Sequence, residues 1–179
     1  YGSQKTGVFP IGPRVYDDIW HLTQDVWLPV QMDHMKVNEA YRVWHDAAHL
    51  DDARQAPVNF QHFDNYKMGP TTETRFKPGE RIPGLAVGGW FDAGDFDIET
   101  AHHASAVLHL VDTWEAFRPL RDETLVDQAG RFVDLHRPDG KPDILQQIEH
   151  GALMLAAQHR VFGRGIRGIT DPLLHQYTH

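Results

Sequence analysis

Two aspartates three positions apart, Asp92 and Asp95, are the residues of this chain best placed to do chemistry. They stand in GGWFDAGDFD, Gly88 to Asp97, just ahead of the amphipathic run IETAHHASAVLHLVDTWEAF. That order puts the pair on the turn that opens a helix, where unpaired backbone N–H groups and the helix dipole favour negative charge. An ionised carboxylate whose small neighbours leave room for a substrate is what a general base requires. The same spacing also suits a helix cap, with Asp92 at the N-cap and Asp95 at the third helical position. The flanks favour chemistry. Gly88, Gly89 and Gly94 permit close backbone approach. Trp90 and Phe91 offer flat apolar faces that can shape a sugar subsite or pack in a core.

The elements that must position this pair read as helices joined by long loops. Val15, Ile19, Leu22, Val26 and Val30 recur at helical spacing, and Pro29 is expected to kink or end that helix near Trp27–Leu28. Met32, Met35, Tyr41 and Trp44 predict more helix beyond the kink. Residues 54–89 show no sustained period; Pro57, Pro70, Pro78 and Pro83 mark a long connection, of a length that suits a substrate-binding wall. A second helix is predicted from about Phe96 to Phe117, with Ala104, Val107, Leu108, Val111, Trp114 and Phe117 on its apolar face and Pro119 just past its end. Leu125–His136 reads as a weak helix or turn. Asp143 and Gln146 form a capping-box pattern before ILQQIEHGALMLAAQHRVF, whose Ile144, Ile148, Ala152 and Leu155 share a face until Gly163 and Gly165 end it. Strand signals are weak throughout, so the fold class expected is all-α.

Three stretches together resemble glycoside hydrolase family 9, the inverting endoglucanases and their relatives. GGWFDAGDFD is similar to the family's GGW-aromatic-DAGD signature, HLDDA (His49 to Ala53) to a segment before it, and DGKPDILQQIEHGALMLAAQ (Asp139 to Gln158) to the helix after it. The three occur in the family's order. The resemblance implies that Asp95 is the catalytic base and that Asp92 helps hold the attacking water. It implies hydrolysis of β-1,4 bonds in cellulose, mixed-linkage glucan or xyloglucan, with no cofactor needed for catalysis. It also implies a barrel of six helix pairs, of which this chain would supply three or four helices. Residues 14–179 are then expected to be the N-terminal portion of the (α/α)6 catalytic domain, truncated at its C-terminus. Residues 1–13 would be a linker or the tail of a preceding immunoglobulin-like domain. The general acid, a Glu in that family, and any structural calcium would lie in the missing C-terminal part, which becomes a partner of this chain. Secreted, periplasmic or cell-surface location is part of the same expectation.

Geometry sets a matching demand. Inverting hydrolysis needs two carboxyl groups roughly 6.5–9.5 Å apart, on opposite sides of the scissile bond. Residues three apart on a helical turn have Cβ atoms only about 5–6 Å apart on one face. Asp92 and Asp95 can therefore hold one water but cannot straddle a sugar. Asp97 and Glu99 belong to the same helix start, and no other carboxylate has a comparable setting.

Two rival readings stay open. One is a non-catalytic glycan-binding protein that keeps the cleft and lacks the acid. The other is a metal-dependent hydrolase built on His45, His49 and Asp51, since His45 and His49 would share a helix face; that motif lacks the Glu that zinc proteases place after the first His. The net charge of −8 argues against a nucleic-acid partner. Without cysteine there is no disulfide framework. No apolar run reaches membrane-spanning length. A start at Tyr1 with no visible signal peptide suggests a processed fragment.

Overall fold

The computed structural model describes residues 7–16, 19, 22–50, 53–55, 74–91, 98–166 and 168–169. Among them a short π-helix, Thr23–Trp27, runs straight into one α-helical turn, α1 (Leu28–Val30). Two strands follow, β1 (Lys36–Glu39) and β2 (Arg42–His45), then β3 (Ile98–Glu99) and the long helix α2 (Thr100–Phe117). A second hairpin, β4 (Thr124–Asp127) and β5 (Phe132–Leu135), precedes the helix α3 (Asp143–Phe162) and the short β6 (Gly168–Ile169).

The two hairpins join edge to edge into one four-stranded sheet of order β2-β1-β5-β4. Each hairpin is antiparallel, while the seam between them, β1 with β5, is parallel, in register from Lys36↔Phe132 to Glu39↔Leu135. The fold is mixed α/β, which corrects the all-α expectation and with it the reading of the chain as helices of an (α/α)6 barrel. Residues 36–45 and 124–135, expected as helix or weak helix, are the strands. Four-residue strands are too short to display a period of two. The spacing of Met32 and Met35, which suggested a helix, belongs to the segment that leads into β1. What makes these residues strands is partner choice: Val37, Val133 and Val126 are β-branched, cross-strand neighbours, and buried at 0%, 0% and 6% exposure.

The N-terminal helix is also corrected. Val15, Ile19 and Leu22, expected on its buried face, are exposed, and the described helix begins only at Leu22–Thr23. Pro29 follows directly on the π-helix: the helical pattern changes at Trp27–Leu28, next to the residue that lacks an N–H, and the helix ends one residue later at Val30. Of the two later helices, α3 begins at Asp143 as expected, whereas α2 begins at Thr100 rather than about Phe96, because Ile98 and Glu99 are extended and pair as β3. A strand thus stands between the Asp92–Asp95 stretch and the helix expected to open directly on it. Arg118, in the left-handed region, ends α2, and Gly163 ends α3 by donating its N–H to the His159 carbonyl.

The capping box at Asp143 and Gln146 does not form. Asp143 turns back to accept hydrogen bonds from the backbone N–H groups of Glu123 and Thr124, at 3.0–3.1 Å, and Gln146 donates to Asp139 instead. Asp143 thus staples the start of β4 to the start of α3. Burial pushes its carboxyl up to about 7, against the downward pull of the two backbone donors.

One apolar cluster lies between the sheet and α2, from Met32, Met35, Val37, Trp90, Val126, Val133 and Leu135. A second, with Phe76, Ile82, Leu85 and Met154, packs beneath the far half of α3. Between these clusters runs Gly88–Phe91. No helix among the described residues is long and apolar enough to cross a membrane.

Candidate functional site

The four residues GGWF are clamped between α3 and the segment that enters β1. Gly88 and Gly89 have φ of 69° and 85°, in the region that glycine alone enters without cost. A Cβ on Gly88 would stand 2.3 Å from the His150 carbonyl oxygen and 2.7 Å from the Met154 nitrogen, so the chain lies directly on the backbone of α3. Gly151 does the same from the helix side: its missing Cβ leaves room for the indole of Trp90 and for Val107.

Two buried histidines grip the clamped carbonyls. His34 Nδ1 donates to Gly88 O at 2.9 Å, and His150 Nε2 donates to Gly89 O at 2.7 Å. Gly89 O also accepts from the Asp33 N–H at 2.9 Å, and Phe91 N–H donates to Gln31 O at 2.9 Å. Burial drives both rings towards neutrality: His34 is lowered to about 4 and His150 to about 3. A neutral His150 that donates at Nε2 accepts at Nδ1. The neighbour there is the Gln128 amide, whose nitrogen is the end that suits a lone pair.

Trp90 is buried at 4% exposure, with His103 and His150 against it edge-on. Its Nε1 donates to Gln147 Oε1 at 2.8 Å, and Gln147 Nε2 reaches Met32 Sδ. The indole therefore locks α3 to the β1 entry. Phe91, 8% exposed, meets the edges of His45 and His49 at centroid distances of 5.2 and 6.0 Å, and His49 in turn meets His34.

Asp92 and Asp95, expected as the water-holding residue and the base, lie outside the described residues, as do Ala93 to Asp97. Both ends of that six-residue stretch are nonetheless fixed. It leaves Phe91 beside His45 and His49 and re-enters at β3, whose Ile98 and Glu99 pair with Ile169 and Gly168. The first residue of α2, Thr100, accepts a hydrogen bond from Gln158 of α3 at 2.8 Å. One helix, α3, thus holds the entrance through His150 and the exit through Gln158.

The metal reading gains no cluster. No group of three or more His, Asp or Glu side chains among the described residues is arranged to hold an ion. The two nitrogens of His45 face the carbonyls of Val30 and Asp46 at 2.9 and 2.8 Å, and Asp51 lies outside the described residues. Asp143, raised as a general acid would be, is 1% exposed with its oxygens on backbone N–H groups, so it serves the fold.

His34, Gln147, His150 and Gln158 are the residues that sequence reasoning passed over. The signal was present on α3: Gln147, His150, Gly151, Met154 and Gln158 recur at helical spacing, and all are buried. An apolar-face search discards such a stripe because most of it is polar.

The chain matches no protein-family model, no curated protein and no solved structure. The likeness to glycoside hydrolase family 9 rests on its quoted motifs alone.

Proposed function

We propose that this chain carries the base-bearing side of a β-1,4-glucan hydrolase that works by single displacement with inversion. Asp95 takes a proton from a water that Asp92 also holds. A carboxyl group across the scissile bond, outside this pair, protonates the leaving oxygen. The observation that supports this most is the clamp on GGWF. Two positive-φ glycines, two neutral histidines and a buried indole fix the residue immediately before Asp92. Catalytic groups need this kind of support, because a loosely held base loses much of its effect. Trp90 acts in this reading as a positioning residue, its indole being engaged with Gln147, His103 and His150. Phe91 lies nearer the pair, and a place beside the sugar remains part of the proposal.

The test uses the gene product that carries this chain. Cello-oligosaccharide hydrolysis is followed by NMR, which reads the anomer released first. The α-anomer is expected from a β-linked substrate. Asp95→Asn is expected to abolish turnover while glucan binding persists, since Asn keeps the shape and cannot take the proton. Near-normal rates in Asp95→Asn, or release of the β-anomer, would end the assignment.

A further inference from the structure

We draw no further inference here: the strongest candidate, the surface of apolar side chains left exposed at the end of α2 (Phe117 and Leu120) and beside the π-helix that Asp25 joins to Arg121 (Leu22 and Trp27), carries nothing because no feature among the described residues shows what covers it.

Discussion

The helices α2 and α3 pack against each other, yet α2 leaves large apolar side chains in solvent while α3 buries polar ones. Among the eighteen residues of α2 only Thr100 and His103 are buried, while Leu108 and Phe117 are 58% and 73% exposed. In α3, nine residues are buried, and Asp143, Gln146, Gln147, His150 and Gln158 are among them. Amphipathicity alone would predict the reverse. What decides is the partner each face meets. Gln147 has Trp90 and Met32, His150 has Gly89 and Gln128, and Gln158 has Thr100 and the Ile166 N–H. Buried polar groups with such partners cost little and fix geometry, whereas the same groups left unpaired would be costly. The polar stripe of α3 is there to hold residues 88–91 and 100.

The strongest way to break this contrast is to push α3 and the clamped segment apart. Gly88→Ala places a Cβ against two backbone atoms of α3, at 2.3 and 2.7 Å, in a φ of 69°. Backbone cannot swing aside as a side chain can. A loss of about 3–5 kcal/mol is expected, combining left-handed strain with overpacking. Denaturant unfolding reads it; a loss below about 1 kcal/mol would mean the segment is not seated on the helix.

Next in size is His150→Ala. It empties a fully buried position and removes the ring that donates to Gly89 O, although that oxygen keeps the Asp33 N–H. About 3 kcal/mol is expected from cavity and lost hydrogen bond together. If stability hardly changes, the polar stripe is not what holds GGWF.

Acid should weaken the clamp in a defined window. His34 and His150 stay neutral in the fold down to about 4 and about 3, whereas in the unfolded chain they protonate near 6.5. Between about pH 6.5 and 4 the unfolded state therefore binds two more protons on them, so stability falls as pH falls. Asp143 works the other way. Its folded value of about 7 against 3.8 means that the folded state holds one proton the unfolded state lacks. The net difference is one proton, or about 1.4 kcal/mol lost per pH unit. Asp143→Asn removes the opposing contribution and should steepen the slope to about 2.7 kcal/mol per unit. Denaturation midpoints across this range measure both; a flat profile in the parent would show that the histidines are not held neutral.

Much of the helical half was legible in the sequence, and little of the sheet. The ends of α2 and α3 were marked by Pro119 and Gly163, and their length made the period visible. The hairpins were hidden because four residues carry too few alternations, and because β1 finds β5 ninety-odd positions away. No local pattern reports such a parallel seam. The importance of GGWF could be read from its glycines and aromatics. Its two anchors could not, because His34 and His150 look like ordinary histidines until their carbonyl partners are placed beside them.

The smallest effect expected is on α2, and it sharpens the comparison most finely. Leu108 points away from both apolar clusters and is 58% exposed. Leu108→Gln keeps helix propensity and roughly the side-chain length, so the change isolates solvent contact. If that face meets water, stability should move by no more than about 0.5 kcal/mol. Gly88→Ala serves as the reference for a change on the buried side. A loss above about 1.5 kcal/mol, or one that grows with protein concentration, would mean that the face of α2 is covered in solution. The two helices would then differ in what covers them rather than in whether they are covered, and the apolar spacing of Leu108, Val111 and Phe117 would have a packing role after all.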